Sequence, residues 1–281
     1  MVRRVTPAQF RAAVQKAQRQ QKKAVNDYKR EVRTYNAAVR RHNTAVENQR
    51  RRLDQEIRRV NSRESSTFTG YRTSVTTLAR SYEETEQHLA GHALSVAERE
   101  IVDRVSEGAA DSAYLLNALD GDGDPEADPT EDELRSPSLQ TELQAFSPDL
   151  VARWTGALFA LSPSNPDAAR HFCTSARELM IEMLNIAAPD PDVLAADPTC
   201  DTRDNGEVTR KAKVKYLVNR RGVTDVSITD LVEADQDNVV TLFRTFNQGT
   251  HGQAGRFDIT QLNAVRQRVE SAVSFVHSLC F

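Results

Sequence analysis

Residues 32–46 read VRTYNAAVRRHNTAV, and the spacing inside this stretch decides the fold. Val32, Val39 and Val46 stand seven residues apart, and Tyr35 and His42 each follow a valine by three. Extended in both directions, the first series takes in Val25, Leu53 and Val60, and the second takes in Tyr28, Gln49 and Glu56. A seven-residue repeat with β-branched residues at one seam position predicts a helix of the coiled-coil type, with a polar character that grows along the partner position.

Nothing interrupts that helix for a long distance. Between Pro7 and Gly70 there is neither proline nor glycine. The opening TPAQ offers Thr6 as a cap, Pro7 at the first helical position and Gln9 to complete a capping box. A helix over 6–63 would extend about 87 Å at ~1.5 Å per residue. Such a stripe is too long to be hidden by one small domain, so partner helices from other copies are expected.

Charge divides the chain at the same place. Residues 1–63 hold 18 Lys and Arg against 5 Asp and Glu, a net of +13, and the rest carries −16. That asymmetry fits an arm for a polyanion or an acidic protein surface, or basic arms lying on the acidic bodies of neighbouring copies. The start, MVRRVTPAQF, has no apolar core after its arginines, which argues against a secretory signal. No apolar run approaches the length of a membrane span. Cys173, Cys200 and Cys280 are odd in number and scattered, giving neither a disulfide framework nor a zinc pair. A cytoplasmic protein is expected.

Further along, helical rhythm persists. Phe68, Tyr71, Val75, Leu78 and Tyr82 continue it, and SVAE at 95–98 is a capping box opening a helix that carries Ile101, Val102, Val105, Leu115 and Leu119. DGDGDPEADPTEDELRSP, residues 120–137, reads as a flexible acidic linker. Its spacing of Asp120, Asp122, Asp124 and Glu131 superficially resembles a calcium loop, but Pro125 occupies the sixth position, where glycine is needed. Helices are then expected after Ser147-Pro148, after Asn165-Pro166, over 229–247 and from the DITQ capping box at 258–261. Strand-like alternation is almost absent, so the class is all-α. The expected domains are a basic heptad helix over 1–63, its helical continuation over 64–119, the linker over 120–144 and a helical bundle over 145–281.

Chemistry is concentrated in RTFNQGTHG, residues 244–252. Six residues separate Arg244 from His251, with Asn247 and Gly249 between. RNA can be cut by its own 2′-hydroxyl, which needs a proton-transfer group working near neutral pH and a cation on the phosphate oxygens. His251 and Arg244 fit those roles, with Asn247 positioning one of them. The plainer reading puts Arg244 on a solvated helix face, Gly249 at a helix C-cap and His251 in the turn. A second candidate is the basic stretch TRKAKVKYLVNRRG, residues 209–222, where Arg210, Lys213, Lys215, Arg220 and Arg221 suit phosphate neutralisation and Tyr216 suits base stacking. Taken alone, the stretch is accounted for more simply by a solvated amphipathic helix.

The arginine, the polar residue and the histidine at a helix end resemble the ribonuclease signature of HEPN domains. More broadly, RHFCTSARELMIEMLNIAAPD at 170–190, TRKAKVKYL at 209–217 and FRTFNQGTHG at 243–252 resemble the predicted pPIWI-associating nuclease family of bacterial antiviral systems. The resemblance covers about residues 145–281. It implies a HEPN-like bundle in which Arg177 and Glu178 line the cleft of His251, with Glu178 orienting a base or pairing Arg244. It implies an antiphage effector, an endoribonuclease without metal or other cofactor, whose site lies within one chain or is shared between two. Its partners would be RNA, further copies joined through the N-terminal helix and a phage protein as trigger, without a membrane. Two other classes stay open: a non-catalytic sensor or scaffold, and a metal-dependent DNA nuclease assembled from Glu178, Asp235 and Lys215.

Overall fold

The computed structural model describes residues 7–63, 66–123, 129–248 and 257–281. Within them run α1 (Pro7–Ser62), α2 (Thr69–Leu89), α3 (Val96–Leu119), α4 (Glu131–Leu134), α5 (Gln140–Gln144) and α6 (Pro148–Phe159). These are followed by α7 (Ala168–Ala187), α8 (Asp190–Ala196), α9 (Arg210–Arg220), α10 (Val226–Gln248) and α11 (Ile259–Cys280). Among the described residues there is no strand, and one isolated antiparallel bridge joins Thr202 to Val208. The protein is all-α, with a long N-terminal helix ahead of a helical C-terminal region.

Two units divide the chain, residues 1–48 and residues 49–281. In the first, Val25, Tyr28, Val32, Tyr35 and Val39 are exposed, and the two tyrosines keep 67% and 69% of their surface. Pro7 stands at the first helical position, as the TPAQ motif predicts, whereas Thr6 lies outside the described residues. In the second unit the heptad positions Leu53, Glu56 and Val60 are buried. One repeat therefore continues through both units, and the later positions are covered by the chain's own helices.

The centre of the second unit is α3. Val105 and Ser106, and then every residue from Gly108 to Leu119, are buried. Gly108, Ala109, Ala110, Ser112, Ala113 and Ala118 give it a narrow surface, so that α2, α10 and α11 pack closely around it. α10 also packs on α2, and α7 lies against α10 and α11. α6 covers α7 through the tilted contact of Trp154 with Phe172, ring centres 5.6 Å apart. α9 is held by α7, α8 and α10.

A buried polar network runs through this core. Arg268 of α11, fully buried, donates to Asp235 of α10 at 2.6 Å. Asn238 accepts from Ser112 at 2.9 Å and from Arg268 at 3.3 Å, and it donates to Ser74 at 3.3 Å. Burial pushes the Asp235 carboxyl above its usual range, and the Arg268 charge pulls the other way. Asp111 receives Ser271 from α11 and, at 2.8 Å, Arg52 from α1.

Local signals place the helix ends. The capping boxes at Ser95–Glu98 and Asp258–Gln261 form as their sequences predict, and Ser147 caps α6. The acidic segment departs from its reading as linker through residue 144. Thr130 and Glu133 make a further capping box for α4, and Leu134 and Leu143 are completely buried. Arg266 of α11 donates to the carbonyls of Glu133 and Leu134 at 2.7 and 2.6 Å. Isolated leucines among acids thus dock this segment, and the composition alone conceals them. Asp124 and Pro125 lie outside the described residues.

Candidate functional site

Four arginines from four segments gather beside α7. On that helix Phe172, Cys173, Ala176, Leu179 and Met183 face the core, which turns Arg177, Ile181 and Asn185, each four residues on, to another flank. Thr209 caps α9 by accepting from the Ala212 N–H, so Arg210 is the first helical residue. Arg244 is exposed on α10, between buried Phe243 and buried Phe246. Arg203 comes from the loop before α9. There the Gly206 N–H donates to the Arg203 carbonyl at 2.8 Å, and Gly206 takes φ 84°, a conformation that favours glycine.

Arg210 feels the charge of the other three. Burial, then the like charges of Arg203, Arg177 and Arg244, hold its guanidinium below the ordinary arginine range. Glu178 is the carboxylate that acts on it in the opposite sense, but Glu178 is held by Arg177 at 2.7 Å. No hydrogen bond or ion pair engages the Arg210 guanidinium among the described residues, and none engages that of Arg244. Arg203 reaches Glu207 at 3.2 Å, and both residues line the same cavity. Half-buried positive charge without a committed counter-ion is an arrangement that takes an oxyanion.

Beneath Arg203 and Arg210 opens a cavity of about 500 Å³, lined also by Ile181, Asn185, Asp190, Glu207 and Lys213. Lys213 is buried and committed. Its Nζ donates to Asp190 at 2.5 Å and to Asn185 at 3.0 Å. The Lys213 hydrogen bond, together with the Val208 N–H, holds the Asp190 carboxyl below the usual carboxylate range.

The remaining basic residues of 209–222 point elsewhere. Lys215, Arg220 and Tyr216 line a second cavity of about 500 Å³ on another flank of α9, with Lys211, Asp197 and Glu233. Lys211 is paired there with Glu233 at 2.7 Å. Arg220 lies over the Tyr216 ring at 5.8 Å, and Arg221 is pinned to Glu100 of α3 at 2.7 Å. The basic stretch is therefore divided by its helical twist: Arg210 joins the arginine group, Lys213 supports the cavity floor, and Lys215, Arg220 and Arg221 stand apart from both.

Other expected residues separate in the same way. Glu178 pairs with its neighbour Arg177 rather than with Arg244. Glu178, Asp235 and Lys215 do not assemble into one centre, because Asp235 is committed to Arg268 in the core and Lys215 opens on the second cavity. Asn247 is in the last turn of α10, with its side chain outside what is described, and His251 lies outside the described residues. Among the described residues no group of three or more His, Cys, Asp or Glu is placed to hold a metal ion. No described helix is long and apolar enough to cross a membrane. Arg203 is absent from the sequence reading. Its loop carries no motif, and only the Asn-Gly turn at 205–206 hints at a fold-back.

Comparison with curated proteins and with solved structures gives no match. A family match does exist, over α6 to α10 and most of α11: residues 143–276, the C-terminal half of the chain, match the model of the predicted pPIWI-associating nuclease family.

Proposed function

We infer that this nuclease is an endoribonuclease that cuts single-stranded RNA without a metal. The observation that supports it is Arg210, half-buried, without an ion-pair partner among the described residues, and acted on by the like charges of Arg203, Arg177 and Arg244. A phosphate diester seated there has its developing negative charge met by fixed guanidinium donors. The adjacent 2′-oxygen attacks phosphorus, the P–O5′ bond breaks, and a 2′,3′-cyclic phosphate forms. His251, with six residues between it and Arg244, takes the 2′-hydroxyl proton, and the departing 5′-oxygen takes one from water. The arginine and histidine spacing at the end of α10 supports a HEPN-like site, with Asn247 orienting one of the pair and a second copy facing the first.

The wider reading is an antiphage effector acting in the cytoplasm. Association of N-terminal helices switches it on, and a phage protein is the trigger. Exposed Val25, Tyr28, Val32, Tyr35 and Val39 on one heptad stripe support the association.

Incubation of the full chain with single-stranded RNA in EDTA tests the reaction. Cleavage ending in cyclic phosphate, lost in Arg244→Ala, Arg210→Ala and His251→Ala, is the expected result. Cleavage that persists in His251→Ala overturns the proton-transfer role, and activity confined to DNA with a divalent metal overturns the reaction class.

A further inference from the structure

The cavity beneath Arg203 and Arg210 has a polar floor that phosphate binding leaves uncommitted. Asn185 Oδ1 and Asp190 Oδ1 both accept from the Lys213 ammonium, at 3.0 and 2.5 Å, so the two side chains lie next to each other. An ammonium group only donates, which fixes the Asn185 oxygen towards it and turns the amide NH2 away. Asp190 Oδ2 accepts from the Val208 N–H at 2.9 Å, and each carboxylate oxygen keeps a lone pair. Ile181 and Pro189 add apolar wall, and the volume of about 500 Å³ accommodates one nucleotide unit.

We propose that this cavity is a nucleobase subsite that selects guanine in the strand held by the arginine group. The inference rests on the nuclease reading above and names the base that the site prefers. Guanine presents an acceptor, O6, beside two neighbouring donors, N1–H and the 2-amino group. The Asn185 amide serves the acceptor, and the free lone pairs of Asp190 serve the donors. Adenine and cytosine bring a ring-nitrogen acceptor against the carboxylate, and uracil offers it a single donor. Edge recognition of an unstacked base beside a backbone-phosphate site is the usual way in which single-stranded RNA is read.

Titration calorimetry of the full chain with the 3′-monophosphates of guanosine, inosine, adenosine and uridine tests this without requiring turnover. Guanosine should bind about tenfold tighter than adenosine or uridine, and inosine, lacking the 2-amino group, should fall between. Asn185 is exposed, so Asn185→Ala should keep its melting temperature; it should weaken guanosine severalfold, by the lost contact to O6, and leave adenosine unchanged. Arg210→Ala should weaken all four alike. Equal binding of the four by the natural chain, or a guanosine affinity that Asn185→Ala leaves unchanged, overturns the base subsite while an Arg210 effect leaves the phosphate site standing. Binding of none of the four overturns both.

Discussion

Arg244 is exposed on its helix and makes no ion pair among the described residues, so its removal should cost activity and not fold. Loss of one preorganised donor to developing charge typically costs ~10²–10³ in rate. Arg244→Ala should therefore lose about that factor in RNA cleavage, while its unfolding free energy stays within ~0.5 kcal/mol of the natural chain. A variant that unfolds early contradicts the assignment as firmly as one that stays active. Asp190 gives a prediction in pH. Its folded pKa is depressed by Lys213 and the Val208 N–H, so its contribution is complete above the unfolded value of ~3.9 and is lost as pH falls through the lower folded value. Melting temperatures of the natural chain and of Asp190→Asn should differ steadily from neutral pH down to about pH 5 and converge below about pH 4. A gap that persists in acid refutes the linkage. At this scale the sequence showed its arginines well and their neighbours poorly. Arg244 and Arg210 stand in recognisable stretches, but nothing in NRRG distinguishes Arg221 as the partner of Glu100, more than a hundred residues earlier. Lys213 looks like its neighbours until helical spacing sets it beside buried Val214 and Leu217.

Helices meet the same limit where polar groups are buried. Periodicity named the helices of the C-terminal half because their apolar faces recur at three and four residues. It could not show that Asp235 and Arg268 are inside, since a charged residue within a helical pattern ordinarily faces water. Gly108 makes the consequence measurable. In an exposed helix, replacing glycine by alanine stabilises by up to ~1 kcal/mol. Here a Cβ would meet Asp235 Oδ1 at 2.9 Å and Arg268 Nη1 at 3.2 Å, two side chains that hold each other and have no room to retreat. Gly108→Ala should therefore destabilise, by about 1–3 kcal/mol in denaturant unfolding. Asp235→Ala leaves Arg268 charged and unpaired in the core, and it should cost about 3–5 kcal/mol. A gain in stability from Gly108→Ala would mean that α3 stands further from the ion pair than 2.9 Å implies.

The nuclease family segment, residues 143–276, is not a self-sufficient body in this molecule. Its α10 and α11 complete their packing on α2 and α3, which precede the segment, and Arg268 is buried only where those helices meet. Leu53 and Val60 of α1 are buried in the same unit, which begins at Gln49. A chain starting at residue 140 should consequently expose the apolar faces of α10 and α11 and fail to give a cooperative thermal transition. A chain starting at residue 49 should retain the transition of the full protein, because every buried heptad position from Leu53 onward is kept. The same pair of truncations separates assembly from folding. Residues 1–48 carry the exposed valines and tyrosines of the heptad stripe, so light scattering after size exclusion should find the full chain in a larger assembly than the chain from residue 49. If both have the same mass per particle, the exposed stripe does not join copies, and the switch assigned to it fails. If the chain from residue 140 melts cooperatively, the dependence of α10 and α11 on α2 and α3 is wrong. Should the chain from residue 49 stay folded, bind RNA and lose cleavage together with its assembly, the site needs more than one copy, as two facing α10 ends require.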